Sequence, residues 1–168
     1  MMVTKDRFVK RGFKMNWNTH DIDVFEQQKE YIDTAVIPLI PTDFGSGIRT
    51  SAAQMEFITL LCFHLERQFK GRMIITPPYT YSLNTPYHGE QERLAQWGNG
   101  LKESGVKHCF FLTSDSGWKG VEELMGDGLI WVPSIPLEHL DEQYKHSIME
   151  DQVKQLLNVI VQKWQKNS

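Results

Sequence analysis

Apolar residues fall along this chain in two alternating habits, short unbroken runs and stripes recurring every three or four positions, the pattern of strands taking turns with helices. TAVIPLI at 34–40 reads as a first buried strand, RMIIT at 72–76 as a second, VKHCFFLT at 106–113 as a third and LIWV at 129–132 as a fourth. Pro38 removes a ladder donor from the first run and points to a bulge or a partly exposed edge. The Cys109–Leu112 run does not alternate, as expected of a parallel strand covered on both faces, and it is placed centrally.

Helices fill the intervals. Asn18 or Thr19 can cap one over 21–31, with Ile22, Val24, Phe25 and Tyr31 as a weak stripe. Over 50–70, Met55, Ile58, Leu61 or Cys62, Leu65 and Phe69 recur at helical spacing; Leu60 and Phe63 widen that face, so heavy cover is expected, and Gly71 supplies the stop. A third helix spans 89–105 on Leu94, Trp97 and Leu101, weakened by Gly98 and Gly100 by roughly 1 kcal/mol each. A short helix lies near 118–125. The last is the most regular: Ser147 and Glu150 form a capping box, Met149, Val153, Leu156, Ile160 and Trp164 follow at helical spacing, and a separate helical piece near 137–145 precedes it.

Strands alternating with helices imply a three-layer α/β sandwich, a mainly parallel four-stranded sheet with helices on both faces. Ligands in such sheets bind where the chain leaves each strand at its carboxyl end. The loops that matter are therefore 41–50, 77–88, 114–117 and 133–136.

In the first loop, Gly45 and Gly47 precede a helix N-terminus, whose N–H groups could cradle an anion with Arg49, Ser46, Thr50 or Ser51 assisting. The third glycine of a dinucleotide fingerprint and the lysine of a P-loop are absent, and Asp43 would repel a phosphate. The second loop carries Tyr79, Tyr81, Tyr87 and His88 among prolines, the makings of a stiff pocket wall or of plain packing. The third brings Ser114, Asp115 and Ser116 to the middle of the edge, where a carboxylate or hydroxyl would serve catalysis; no nucleophile elbow surrounds them, and Asp115 or Ser116 equally suits a helix cap. Asp43, His88, Glu90 and Asp115 are the conceivable metal ligands, but their spacing fixes no site, so no metal and no cofactor is assigned.

Composition narrows the classes. A chain of 168 residues fits one domain over 15–168, with roughly 70% of its unfolded surface hidden on folding. Lys5, Arg7, Lys10, Arg11 and Lys14 against Asp6 give residues 1–14 a local +4 within a total of −3, so the remainder carries −7 and repels phosphate backbones. That basic arm is expected to be disordered, or to precede a natural start at Met15. Cys62 and Cys109 sit in apolar segments without metal or redox spacing, and no run approaches the roughly 18 apolar residues of a membrane span, so a reducing cytoplasm is expected.

YIDTAVIPLIP, ITPPYTY and FFLTSDSGW, in this order, resemble the YpiF-like family of small proteins from Bacillus-type bacteria, over residues 15 to about 165. That resemblance implies one cytoplasmic domain and brings no activity. A more distant similarity is to creatininase-like metal amidohydrolases, whose first strand also ends in an apolar-proline run; their E-x-H-G ligand pattern has no match in PTDFGSGIRT, and Asp115 stands where a histidine would. The expected function is a non-catalytic module binding a small polar ligand or a partner protein at the carboxyl edge, through Arg49, Ser46, the three tyrosines, Ser114 and Ser116. The alternative is a metal-assisted hydrolase using Asp115 or Asp43 with His88. A homodimer through exposed parts of the apolar helices is a third reading.

Overall fold

The structure, a computed structural model, describes residues 15–69 and 71–166. The basic arm at 1–14 lies outside the described residues. Helix α1 is Thr19–Gln27, β1 Thr34–Thr42, α2 Ile48–Gln68, β2 Met73–Ile75, β3 Tyr79–Ser82, α3 Tyr87–Glu103, β4 His108–Thr113, α4 Glu122–Met125, β5 Leu129–Trp131 and α5 Glu142–Lys166. A 3₁₀ turn, Ser116–Val121, links β4 to α4.

All pairings are parallel, in the order β2-β1-β4-β5, with β3 also beside β1. The sheet is thus the expected one with a fifth strand inside what reads as a loop. β2 covers Thr34–Val36 and β3 covers Leu39–Thr42, so two short strands share one edge of β1.

That sharing explains Pro38, which lies in a central strand and not at a bulge or an exposed edge. Backbone groups of Thr34, Val36 and Thr42 turn toward this edge, bonding Arg72, Thr76 and Leu83. Residues of one parity face the same side of a strand, so Pro38 directs its missing donor at the Thr76–Pro78 break between β2 and β3, where no ladder acceptor waits.

Strand alternation builds a core on each face. Val36, Ile40, Phe110, Leu112, Ile130 and Val132 pack under α2 and α5. Ile37, Leu39, Phe111 and Leu129 meet α3 through Leu94, while Ala35 and Ile74 lie with Val24 of α1. The five apolar positions expected along the last helix are all buried, and the Trp164 indole donates to Thr34 Oγ1 at 2.8 Å, tying α5 to β1.

Two helix boundaries differ from expectation. Ser147 is an exposed position inside a continuous α5, because the cap is supplied upstream, where the Asp141 carboxylate accepts from Tyr144 N–H at 2.7 Å. Asp141→Ala should therefore cost about 1 kcal/mol in urea unfolding, whereas Ser147→Ala should stay within about 0.5 kcal/mol. The third helix starts at Tyr87, with Pro86 in the cap position, which puts Tyr87 on a rigid element.

The second helix is not covered on its full apolar face. Phe57, Ile58, Leu61, Cys62 and Leu65 are buried, but Met55 and Phe63 are exposed, as is Ile48. The 137–145 segment lies along one flank of that outer stripe.

Candidate functional site

The carboxyl edge is organised around Asp115. It follows β4 directly and is buried, its backbone N–H donating to Thr113 Oγ1 at 3.0 Å. Its Oδ1 accepts from Gly117 N–H at 2.9 Å, capping the 3₁₀ turn. The Tyr81 hydroxyl donates to Oδ2 at 2.5 Å and the Tyr87 hydroxyl to the same oxygen at 2.8 Å. Behind them the fully buried Trp118 donates its indole N–H to Tyr81 Oη at 2.7 Å.

The local sequence dictates this convergence. Tyr81 comes inward because β3 alternates, Tyr87 arrives on the first turn of α3, and Trp118 sits on the turn that Asp115 caps. The rings of Tyr81 and Tyr87 both meet Trp118 edge to face, at centroid distances of 5.3 and 5.4 Å. Gly117 is required by this packing, since a methyl group there would overlap the Tyr87 phenol.

Both carboxylate oxygens are therefore occupied by donors from the chain itself. Such an arrangement satisfies a buried carboxyl group from within the chain and ties together β3, the start of α3 and the turn after β4. Burial, and next the hydrogen bond and charge of Asp115, hold the Tyr81 and Tyr87 phenols above the usual tyrosine range. Because the raised values belong to the folded state, this contribution is intact below the unfolded-chain value of about 10 and is lost as pH rises past it. The urea midpoint should fall as pH climbs above about 10, and Tyr81→Phe should flatten that fall.

Tyr79 belongs to a second pairing. Its hydroxyl donates to Glu90, a buried carboxylate of α3 that Arg93 also reaches at 3.2 Å. Burial, followed by the bond to Glu90, raises the Tyr79 phenol as well.

The glycine loop is filled by its own acid. Asp43 Oδ1 accepts from Gly45 N–H at 2.7 Å and Oδ2 from Gly47 N–H at 3.0 Å, so the donors that would meet an anion already hold one. Ser51 Oγ donates to Pro41 O at 2.6 Å and Arg49 pairs with Glu138 at 2.6 Å. Ser46, Ser116 and His88 are exposed.

Ser114 Oγ and Gln54 Oε1 are buried with no hydrogen-bond partner among the described residues. Both lie toward the carboxyl end, Gln54 one turn along α2 from the Ser51–Pro41 bond.

Among the described residues no three or more His, Cys, Asp or Glu gather where they could hold a metal ion. Asp43 is spent on its loop and Asp115 on phenols, so the donors do not fit the metal centre of a creatininase-like layout.

Of the residues that the sequence singles out, the structure joins Tyr81 and Tyr87 to Asp115 by hydrogen bonds, and Arg49, Ser46, His88 and Ser116 are not among the partners of Asp115 in the described residues. Trp118 joins the network without having been singled out, and Glu90, weighed as a metal ligand, instead accepts from Tyr79. The available signal for Trp118 was its place three residues after Asp115, one turn along from a cap.

Near the start of the first loop the pinned backbone presents Phe44 to solvent, 92% exposed. On α2 itself Ile48, at 51%, Met55, at 48%, and Phe63, at 37%, are also exposed and form an outward stripe. Between this stripe and the 137–145 segment runs a groove of about 1030 Å³, lined by Met55, Leu60, Phe63 and Leu137.

Residues 23–164 match the family described as "Protein of unknown function (DUF2487)". The chain is 38% identical over 153 residues to the "Uncharacterized protein YpiF" of Bacillus subtilis (strain 168), an overlap covering 89% of this chain and 98% of that protein. No solved structure matches it.

Proposed function

The chain belongs to the DUF2487 family of proteins of unknown function, and within it we propose a non-catalytic α/β module that docks a partner protein along the apolar stripe leading away from the carboxyl edge. The observation that carries this reading is Phe44. A phenyl ring left almost wholly in water on a loop tied down by Asp43 costs solubility and adds nothing to the fold. The helix that follows it in the chain carries three further exposed apolar side chains, Ile48, Met55 and Phe63, of the kind that anchor an interface.

The polar side chains at the edge support a structural part for Asp115, since its hydrogen-bonding capacity is already met within the chain. No membrane-spanning helix occurs among the described residues. Cys62 and Cys109 are free, buried thiols, pushed up by burial to about 12 and about 11, and we place the protein in the cytoplasm on their account.

A photo-crosslinking amino acid at position 44, in the protein's own host, tests the proposal. An adduct of defined mass is expected, and it should vanish when Phe63→Asp is added while the unfolding free energy in urea stays within about 0.5 kcal/mol of the parent. Absence of any adduct overturns the reading.

A small polar ligand is a second reading, favoured by the unpartnered Ser114 Oγ and Gln54 Oε1. It predicts that a small amide such as acetamide perturbs the Gln54 side-chain NMR signals and that Ser114→Ala abolishes the perturbation. Unchanged signals at saturating amide exclude it.

A further inference from the structure

The geometry points to an anion site between α2 and α5 that takes the phosphate group of a small phosphate monoester. The site does not depend on the docking of a partner protein, nor on Ser114 and Gln54.

Helical spacing gathers its groups. His64, Arg67 and Gln68 stand three and four positions apart on α2, and His146, Glu150 and Lys154 follow one another at four-residue steps on α5, so each set forms one row along its helix. Both helices pack on the same core, and the two rows meet across a cavity of about 490 Å³. Val153 and Leu157 give it an apolar wall, room for the carbon part of an ester. The His64 and His146 rings face each other at a centroid distance of 5.4 Å.

What the cavity lacks is acid. Glu150 is the only carboxylate among the described residues that line it, and its Oε1 is taken by His146 Nε2 at 3.0 Å. Neither Arg67 nor Lys154 has a carboxylate partner among the described residues, and the Arg67 guanidinium rests over the Phe63 ring, 5.6 Å from its centroid. Two permanent cations and two imidazoles thus converge on one carboxylate, in a chain whose net charge is −3. His64 registers the imbalance. Burial first, then His146 and Arg67, hold its imidazole below the ordinary histidine value, and the opposing pull of Glu150 is the smallest influence.

A phosphate monoester answers each of these features. Arg67 offers a planar fork to two of its oxygens and Lys154 a point charge from the facing helix, while the Gln68 amide and the imidazoles add further N–H donors. A carboxylate has two oxygens and is satisfied by the guanidinium alone, whereas a tetrahedral group with three free oxygens uses donors from both helices. A bound dianion also reverses the charge that His64 feels, so its imidazole gains affinity for a proton.

Glycerol 3-phosphate added to the full chain near neutral pH should move the His64 and His146 imidazole NMR signals along a saturable curve, and raise the His64 titration midpoint by about one pH unit. Glycerol with potassium chloride at equal ionic strength should do neither, and acetate should bind about tenfold more weakly. Arg67→Gln should weaken phosphate binding by about tenfold, roughly 1.4 kcal/mol, with unchanged circular dichroism, since the side chain is exposed. Lys102→Gln removes a cation from α3, on the other face of the sheet, and should leave the affinity as it was.

Unmoved histidine signals, a shift that the salt reproduces, or an equal loss from Lys102→Gln overturns the site. Equal affinity for acetate and glycerol 3-phosphate overturns its assignment to phosphate.

Discussion

Asp115→Ala is expected to lower the unfolding free energy by roughly 3 kcal/mol and the melting temperature by roughly 6–12 °C. The substitution takes away the acceptor for the Tyr81 hydroxyl, the Tyr87 hydroxyl and the Gly117 N–H at one stroke. Tyr87 can turn toward water, but Tyr81 is buried and its hydroxyl then has nothing to donate to. Asp115→Asn keeps one acceptor oxygen and should recover about half of the loss. Were Asp115 instead poised for catalysis, its removal would leave stability unchanged or improved, since sites held ready for substrate carry strain that truncation relieves. Urea unfolding of the two variants separates these outcomes, and a loss below about 1 kcal/mol for alanine would contradict the structural part assigned here.

Trp118→Ala should be at least as damaging, about 3–5 kcal/mol, because it empties a fully buried site that the rings of Tyr81 and Tyr87 close from the side. Trp118→Phe isolates the polar part. It keeps most of the volume and loses only the indole N–H to Tyr81, so about 1 kcal/mol is expected. Because Trp118 and Asp115 act on the same tyrosine, the double variant Trp118→Phe, Asp115→Asn should cost less than the two single losses together. Additivity within about 0.5 kcal/mol would mean that Tyr81 does not couple them.

Much of the architecture was legible in the residues because it depends on period alone. The short apolar run at β1 reads as a strand, the unbroken run at β4 as one covered on both faces, and the spacing of Met149 to Trp164 as one face of a helix. β3 escaped notice because four residues between prolines are too few to show alternation, although Tyr79 and Tyr81 do stand two apart. The boundary of α5 was misplaced for a related reason. Ser147 and Glu150 satisfy a capping pattern, yet Asp141 offers an acceptor one and a half turns earlier and the helix propagates from there.

Which tyrosines meet Asp115 was not legible. Tyr79 and Tyr81 share a strand and a residue type, and only the packing of β3 against β1 sends one to Glu90 and the other to Asp115. The exposed row on α2 was hidden for the opposite reason. Periodicity shows that Met55 and Phe63 are apolar and near Ile58 on the helix; it does not count how many neighbours the sheet and α5 provide, and they cover only part of so wide a face.

By itself, then, the order of residues determined that parallel strands alternate with helices, that α2 is too apolar for an ordinary surface helix and that acids and tyrosines gather on loops at one end of the sheet. Tertiary structure alone decided that Asp43 fills its own glycine turn, that Asp115 is consumed by phenols and that Phe44 stays in water. The division has a physical cause: periodicity is written within a dozen neighbouring residues, whereas burial and hydrogen-bond partners depend on what distant segments bring to the same place.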